Sequence, residues 1–412
     1  MQFVILGNGI AGVSAAYTIR RLDQVAPITI ISKEPHSAYS ACLLPDYLSG
    51  EISRERVFIK KFPDYVQQNI RLIPGRTVIA LDTARKTVNL SPGGIPYDKL
   101  IIATGSTAFI PPIKGREKKG VFIFKSLKDA DLLSLWKGQR AVVIGSGPIG
   151  VEAGLALQKR GYRVFLVEFL DSVLPQVFDG DAASFIQALL QHKGMEVLTG
   201  ERVTDILGGE SVQGVATENR KISCDTVVLA TGMRPEVALV EGTVQLGKLG
   251  GILTDDTMCT NVPDIYACGD CVEAKSIVSG FPVLSLLWHN AREQGEVAAC
   301  NAAGMHRNYL GSINITGMNA FGLHVVSIGN IGKDIENGLE VIERKGKERY
   351  QCLILSKGVL VGAQSINWTE NIGGLLAAIR RKERIRNWRD LTNGREPPLS
   401  SVCCFPFGRR LS

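Results

Sequence analysis

The chain has 412 residues, of which 45% are hydrophobic, 21% charged and 7% aromatic, a composition typical of folded globular proteins rather than disordered ones. It carries 47 Lys and Arg against 40 Asp and Glu, and this net charge of +7 is too small over such a length for a protein built mainly to neutralise nucleic-acid phosphates. Long apolar runs and a cationic leader are missing from the sequence, and the nine scattered cysteines indicate free thiols in a reducing compartment. We therefore expect a cytoplasmic protein with no nucleic-acid partner and no membrane segment.

A glycine pattern with the spacing G-x-G-x-x-G occurs twice in the chain. The first copy is Gly7, Gly9 and Gly12, and the second is Gly145, Gly147 and Gly150. A second repeat follows each copy, because Ala103-Thr104-Gly105 returns as Ala230-Thr231-Gly232. Repetition of both patterns in the same order indicates two related nucleotide-binding units.

Each glycine pattern stands between a short apolar run and a stretch with helical spacing, which predicts a strand, a tight turn and a helix. Glycines at such a turn let the backbone approach a pyrophosphate, whose charge is favoured at the helix N-terminus. A further predicted strand then precedes an acid in each unit, Glu34 and Glu168, near the position from which a carboxylate binds ribose hydroxyls. No Arg or Lys stands in residues 169–172 to meet a 2′-phosphate, which favours NADH in the second unit. The alternative to ribose binding by Glu34 is that it is a solvated turn residue.

Residues 260–270 form a run that ends in a Gly269-Asp270 turn. Together with the two repeats, this run resembles the pyridine-nucleotide:disulfide oxidoreductase superfamily of flavoproteins, over about residues 1–310. The resemblance implies that the first unit binds FAD, that the inserted second unit binds NAD(H), and that the chain then returns to the FAD unit. It also implies that Asp270 contacts the ribityl–phosphate region of FAD and that Glu152 lies beside the nicotinamide ribose. From the residues alone, Glu152 is a carboxylate in the first turn of a helix, where the helix dipole favours it.

These features predict an α/β protein with two Rossmann-like dinucleotide-binding domains and a small α+β C-terminal domain. The expected boundaries are 1–112 and 247–311 for the FAD domain, 113–246 for the NAD domain, and 312–412 for a C-terminal interface domain. In the last segment, strand-like runs at 323–329, 351–355 and 359–363 precede a helix-like stretch at 374–380. This segment is similar to the C-terminal domain of NADH-rubredoxin reductases and of nitrite reductase flavin modules.

Cys42 is the candidate redox residue. It stands where coenzyme A-disulfide reductases and NADH oxidases of the superfamily carry one redox-active cysteine, although Leu43 and Asp46 depart from their pattern. A thiolate beside flavin could form a mixed disulfide or a sulfenate, whereas a small thiol packed against flavin is the alternative. Cys268 and Cys271 have C-x-x-C spacing, but they flank the Gly-Asp turn and no second ligand pair completes a zinc site, so we expect no metal.

His289 opens a predicted helix of small residues, whose N-terminus in this superfamily points at the flavin. The helix dipole would there stabilise reduced, anionic flavin. We expect His289 itself to cap or pack the helix rather than to take part in catalysis.

Positive charge is concentrated near the C-terminus. Residues 375–412 hold nine basic and three acidic residues, so nine minus three gives +6 of the total +7. The basic residues are Arg380, Arg381, Lys382, Arg384, Arg386, Arg389, Arg395, Arg409 and Arg410. Such a patch steers an acidic iron–sulfur protein toward the flavin, or merely keeps the protein in solution. The apolar stretch 402–407, which includes Cys403 and Cys404, suits docking against another subunit.

The sequence therefore predicts an FAD-dependent NADH:acceptor oxidoreductase. We expect electrons to pass to or from an acidic iron–sulfur protein, namely a rubredoxin, a ferredoxin or a subunit of a larger complex. The chain itself would be a homodimer or a subunit of such a complex. One alternative is a coenzyme A-disulfide reductase or NADH oxidase that works through Cys42, and another is an NADH-sensing flavoprotein scaffold.

Overall fold

A computed structural model describes residues 1–332, 338–368 and 371–385 of the chain. The chain divides into two units, Met1–Asn314 and Ile315–Ser412. No helix among the described residues is long and apolar enough to cross a membrane.

The first unit contains a parallel sheet of five strands, here called the first sheet. Its strand order is Ile265–Ala267, Lys99–Ile102, Phe3–Leu6, Ile28–Ile31 and Ile70–Ile73. Every residue of the two central strands that begin at Phe3 and Ile28 is buried, as expected for a parallel sheet covered on both faces. Because its outer strand comes from residues 265–267, the chain returns to this sheet after building the second one.

Two helices that cover the first sheet, Ile10–Leu22 and Trp288–Ala302, pack closely on each other. Gly295 permits this approach, because a Cβ atom there would lie 2.3 Å from the Ala11 carbonyl oxygen. The N-termini of both helices are thereby fixed beside the same sheet.

The second sheet is also parallel and five-stranded. Its strand order is Glu196–Leu198, Arg163–Val167, Arg140–Ile144, Thr226–Leu229 and Val121–Ile123. Three helices belong to this part of the chain: Leu127–Leu135, Pro148–Lys159 and Gly180–His192. The two parallel sheets with their helices confirm the predicted α/β class.

Short elements connect and flank the two sheets. Antiparallel strands Ser106–Ala108 and Met233–Pro235 pair where the chain passes between the sheets in its two directions. The other small sheets are Val78–Asp82 with Thr87–Leu90 and Gly94–Pro96, Val203–Leu207 with Gly214–Thr217 and Lys221–Ser223, and Ile252–Leu253 with Val272–Lys275 and Pro282–Leu284. The short helices are Leu44–Ser49 and Phe62–Gln67, with 3-10 turns at Ala41–Leu43 and Arg54–Val57.

The described residues of the second unit form an antiparallel sheet and a helix. Its strand order is Ile315–Ala320, Leu323–Gly329, Val359–Ile366, Arg349–Ser356 and Leu339–Gly346. The helix Ile372–Arg381 packs against the strand Val359–Ile366 through an apolar face that includes Leu375 and Ile379. The second unit is therefore a small α+β domain.

Candidate functional site

The first glycine turn lies between strand Phe3–Leu6 and helix Ile10–Leu22, and its three glycines differ in what surrounds them. Gly7 has φ +112°, and a Cβ atom there would lie 2.0 Å from the Ala103 carbonyl oxygen. Gly12 packs its helix on the turn, since a Cβ atom there would lie 2.0 Å from the Gly7 carbonyl oxygen. Around Gly9, at the start of the helix, a Cβ atom would meet no atom within 4 Å. The open side of the turn at Gly9 is therefore where a pyrophosphate could approach the backbone.

The second glycine turn repeats this arrangement. Gly145 has φ +100°, and a Cβ atom there would lie 2.4 Å from the Ala230 carbonyl oxygen. At Gly150 a Cβ atom would lie 2.0 Å from the Gly145 carbonyl oxygen, whereas Gly147 faces open space. In both turns, two glycines allow close backbone contacts that a Cβ atom would prevent, and the third glycine leaves room for a ligand. Both turns therefore fit a dinucleotide.

Each of the two Ala-Thr-Gly turns is hydrogen-bonded to the segment that follows the other turn. Thr104 Oγ1 donates to the Glu236 carbonyl oxygen at 2.7 Å, and Thr231 Oγ1 donates to the Phe109 carbonyl oxygen at 2.7 Å. The turns end in two glycines with left-handed backbone, Gly105 at φ +76° and Gly232 at φ +111°. These reciprocal bonds hold the entry and exit of the second sheet together beside both glycine turns.

Glu168 is a buried carboxylate that accepts three hydrogen bonds within the chain, so its second oxygen still has room for another donor. One oxygen accepts hydrogen bonds from Ser146 N at 2.7 Å and Ser146 Oγ at 2.8 Å, and the other accepts from Leu170 N at 2.9 Å. These bonds fix the carboxylate against the second glycine turn, the place from which a ribose would be bound. Its contact with NAD(H) stays a prediction.

Glu34 lies at the corresponding place after strand Ile28–Ile31 of the first sheet, and it is less buried than Glu168. Its two carboxylate oxygens accept the Tyr39 hydroxyl at 3.0 and 3.2 Å, and Tyr39 in turn accepts Leu127 N at 3.1 Å. Glu34 is therefore held by a side chain rather than free in solvent, and a ribose contact from the carboxylate stays a prediction.

Asp270 belongs to a polar cluster beside the first sheet. Its carboxylate accepts the Ser106 hydroxyl at 2.7 Å, and Lys125 Nζ lies 3.7 Å from the same oxygen while donating to Ser106 Oγ at 3.0 Å. Gly269, with φ +84°, donates its N–H to the buried Gln294 side chain at 2.8 Å. Asp270 is thus positioned by Lys125 and Ser106, and the cluster fits the polar ribityl–phosphate part of FAD.

Cys42 lies in the 3-10 turn Ala41–Leu43 and is exposed as a residue, and the carboxylates of Glu152 and Asp270 lie near its thiol. Desolvation of the sulfur raises the pKa of the Cys42 thiol, and the Glu152 and Asp270 carboxylates raise it further, against a hydrogen bond with Ser40 that lowers it. The structure therefore brings three predicted site residues together: Cys42, Glu152 and Asp270.

Glu152 lies on helix Pro148–Lys159, which packs against the short helix Leu44–Ser49. Burial, and then the nearby Asp46 carboxylate, raise the pKa of Glu152 to about 7. Burial and Glu51 in turn raise the pKa of Asp46, while Lys159 lowers it. Glu152 can thus hold or release a proton near neutral pH.

The remaining predicted residues have structural contacts. Cys268 and Cys271 are fully buried free thiols, and Cys271 Sγ lies 3.3 Å from the Cys268 carbonyl oxygen. His289 Nε2 lies 2.9 Å from the Ile313 carbonyl oxygen, at the start of helix Trp288–Ala302. Cys403, Cys404 and the basic residues from Arg386 onward lie outside the described part of the chain.

Three contacts of this region carry no signal in the sequence. Arg202 follows the strand Glu196–Leu198, and its guanidinium carbon lies 4.4 Å from the centre of the Phe169 ring. Asp46 acts on Glu152, and Lys125 Nζ lies 3.7 Å from Asp270, and in both cases the partner is distant in the chain. Only the packing of helices and strand ends creates these contacts, so spacing could not find them.

Comparison with known proteins agrees with this geometry. The family model of the pyridine nucleotide-disulphide oxidoreductases matches residues 1–295. An NADH oxidase of Methanocaldococcus jannaschii is 31% identical over 98% of this chain and 96% of its own length. A rubredoxin-NAD(+) reductase of Ectopseudomonas oleovorans is 32% identical, over 74% of this chain and 80% of that protein. The solved NAD-dependent persulfide reductase from A. fulgidus superposes with a TM-score of 0.88 and 29% identity, covering 93% of this chain and 77% of that one. This chain therefore belongs to the pyridine nucleotide-disulphide oxidoreductase family, as an FAD-dependent enzyme that exchanges electrons with NAD(H).

Proposed function

We propose that this enzyme carries electrons between NAD(H) and an iron–sulfur protein, with FAD as the intermediate carrier and no covalent step at Cys42. The observation that carries the proposal is that two carboxylates, Glu152 and Asp270, lie near the Cys42 thiol. Nucleophilic thiols are thiolates, and nearby cations or helix N-termini favour that form. Here burial, Glu152 and Asp270 all raise the pKa of the Cys42 thiol, so the neutral form is favoured.

Electron transfer without a thiol requires only that FAD be held close to the nicotinamide and to the surface. When bound, FAD accepts two electrons as hydride and can release them singly, which matches a one-electron iron–sulfur acceptor. Cys42, Cys268 and Cys271 are not joined by a disulfide, so a disulfide relay has no preformed pair among the cysteines of this site. The relative that reduces or oxidises rubredoxin supports a protein acceptor.

The basic residues at the end of helix Ile372–Arg381 support an acidic partner. Arg380, Arg381, Lys382 and Arg384 are all exposed, and Arg381 is paired with Glu383 at 2.6 Å. Small iron–sulfur carriers are typically acidic, so a basic surface would attract them.

A second candidate is small-molecule chemistry at Cys42. Cys42 is an exposed residue, and the similar proteins include one named NADH oxidase and one named NAD-dependent persulfide reductase. In this alternative, the Cys42 thiolate would attack one sulfur of a disulfide or persulfide and expel the other as a thiolate or hydrosulfide, or attack a peroxide and expel hydroxide. Two electrons from NADH, delivered through FAD, would then reduce the resulting mixed disulfide, persulfide or sulfenate of Cys42 back to the thiolate.

The experiment compares acceptors with the FAD-loaded enzyme under anaerobic conditions. NADH is the reductant, and the acceptors are oxidised rubredoxin, oxidised two-cluster ferredoxin, coenzyme A disulfide and glutathione persulfide, with oxygen added separately. We expect an iron–sulfur protein to have the highest kcat/KM, and Cys42→Ser to retain most of that rate. A preference for a small acceptor, lost in Cys42→Ser, would instead establish the second candidate.

A further inference from the structure

We propose that Arg202 is a second determinant of coenzyme choice, a cation at the adenosine end of the NAD(H) site that would pair with the 2′-phosphate of NADPH once Glu168 is neutralised. The inference rests on the proposed placement of NAD(H) at the second glycine turn. It deepens that placement by naming a residue that decides between two coenzymes.

Arg202 is brought to this place by the pairing of two strand ends. Glu201 N donates to the Glu168 carbonyl oxygen at 2.9 Å, and Gly200 N donates to the Leu170 carbonyl oxygen at 2.9 Å. The two segments therefore run side by side beyond the sheet. The Arg202 guanidinium then lies over the ring of Phe169, the residue directly after the predicted ribose acid.

The Phe169–Arg202 pair is open to solvent. Phe169 is 55% exposed although it follows a buried strand, and the Arg202 side chain is 57% exposed. An aromatic ring stacked with a guanidinium is a surface that purine bases bind well. The adenosine of a dinucleotide whose ribose reaches Glu168 would lie against this pair.

Glu168 and Arg202 act on a 2′-phosphate in opposite directions, and burial decides which of them prevails. Glu168 is only 8% exposed, so water screens the repulsion from its charge weakly. Arg202 is largely exposed, and Glu218 lies 3.5 Å from its Nε and partly neutralises it. The carboxylate therefore dominates in the wild type and NADH is preferred, while the attraction from Arg202 is masked.

The test uses the FAD-loaded enzyme in four forms: wild type, Glu168→Gln, Glu168→Gln/Arg202→Ala, and Glu168→Gln/Arg163→Ala. Arg163 is a matched control at the opposite end of the neighbouring strand. Its side chain is 60% exposed, is paired with Glu196 at 2.6 Å, and has its guanidinium carbon 5.3 Å from the Phe165 ring. Flavin reduction by NADH, NADPH and reduced nicotinamide mononucleotide, which lacks adenosine, is measured anaerobically by stopped flow.

We expect Glu168→Gln to raise kcat/KM for NADPH relative to NADH by about tenfold or more, as for loss of one charged contact. Adding Arg202→Ala should remove most of this gain, whereas adding Arg163→Ala should leave it unchanged. Reduction by the mononucleotide should be the same in all four forms. Retention of the full NADPH gain without Arg202, or an equal loss in the Arg163 control, would overturn the proposal.

A second pair of variants is used if Glu168→Gln does not fold or bind FAD. Glu168→Ser then replaces it, and adding Arg202→Ala to Glu168→Ser should lower the ratio of NADPH to NADH efficiency, so an unchanged ratio overturns the proposal. A different result is expected if the proposed position of NAD(H) is itself wrong. If NAD(H) does not bind at the second glycine turn, Glu168→Gln and Glu168→Ala will leave the KM for NADH unaltered.

Discussion

Arg54 and Asp131 form a two-pronged ion pair, with Arg54 Nε 2.9 Å from Asp131 Oδ1 and Arg54 Nη2 2.9 Å from Asp131 Oδ2. The Tyr47 hydroxyl donates to the same carboxylate at 2.9 Å. Asp131 lies on helix Leu127–Leu135, beside the second sheet, whereas Tyr47 and Arg54 follow Cys42 in the chain. The pair therefore fastens the segment that carries Cys42 to the part of the unit built on the second sheet.

We expect Asp131→Asn to lower the free energy of unfolding by about 1 kcal/mol at pH 7, because a bidentate but partly exposed ion pair is lost. The hydrogen bond from Arg54 is the main cause that lowers the pKa of Asp131. A carboxylate whose pKa is lower in the folded than in the unfolded state stabilises the protein at any pH above its unfolded-state pKa. This contribution is lost as the pH falls through the folded-state pKa. The difference between wild type and variant should therefore stay constant from pH 8 to 5 and shrink only below about pH 4.

Denaturant unfolding of the FAD-loaded enzyme at several pH values measures this difference. Lys119→Ala is the control, because Lys119 and Glu210 form a 3.4 Å pair whose side chains are 72% and 89% exposed. We expect no measurable change for that control. Equal losses in the two variants would contradict a special role for the Asp131 pair.

Glu152 and Asp46 give a prediction about pH and the redox state of the nicotinamide. The nicotinamide ring of NAD+ is cationic and that of NADH is neutral, so an ionised Glu152 beside the ring would favour NAD+. Since the pKa of Glu152 is raised to about 7, this preference should appear as the pH rises through about 7. The ratio of the Kd for NAD+ to the Kd for NADH should fall over that range.

Two variants separate the effect of Glu152 from general pH effects. Glu152→Gln should make the ratio of the two Kd values independent of pH. Asp46→Asn should move its midpoint to lower pH, because one of the two causes that raise the pKa of Glu152 is removed. Calorimetric titration with each coenzyme checks both variants, and an unmoved midpoint in Asp46→Asn would show that Asp46 does not act on Glu152.

The surroundings of Cys42 predict a slow thiol. Because the pKa of Cys42 is raised, its alkylation by iodoacetamide should be slow at pH 7, and the midpoint of its rise with pH should lie above the value of about 8.5 for an ordinary thiol. Mass spectrometry of the alkylated peptide measures the rate at each pH, and Cys42→Ser identifies the modified residue. Rapid labelling at pH 7 would indicate a thiolate and would favour the small-molecule alternative.

Local signals in the sequence were sufficient for both nucleotide-binding units. A glycine that must adopt φ +112° at Gly7, or approach a carbonyl oxygen at Gly12, is fixed by its immediate neighbours in strand and helix, so its spacing is visible in the sequence. The strand Leu339–Gly346 gave no such signal. It is an edge strand with mostly exposed and charged residues, and its pairing with Arg349–Ser356 outweighs a weak local preference.

The electrostatics of the site could not be predicted in the same way. The sequence shows that residues 169–172, directly after Glu168, contain no Arg or Lys. It does not show that Arg202, which follows the neighbouring strand of the sheet, contacts Phe169. Asp46 likewise meets Glu152 only because two helices pack together. Pairs that depend on tertiary packing leave no periodic trace in the sequence, and they decide the charge state of this site.

The exposed basic cluster at the end of helix Ile372–Arg381 gives a prediction about association with an acidic partner. Replacing Arg380, Arg381 and Arg384 with Glu should slow reduction of the iron–sulfur protein, while flavin reduction by NADH stays the same. Steering acts on the association rate and weakens with salt, since the Debye length falls from ~10 Å at 0.1 M to ~3 Å at 1 M. The wild-type rate should therefore decline with ionic strength, and the rate of the variant should decline less.

A matched variant carries the same change of net charge elsewhere. Arg85, Lys119 and Lys137 are also exposed, and replacing these three with Glu should leave the salt dependence close to that of the wild type. Stopped-flow reduction of rubredoxin or ferredoxin at several ionic strengths measures all three proteins. If the wild type and the Arg380 variant have identical salt slopes, the cluster is only a solvated face. In a permanent complex, association no longer limits turnover, and the Arg380 variant should instead retain its partner less well on a sizing column than the matched variant does.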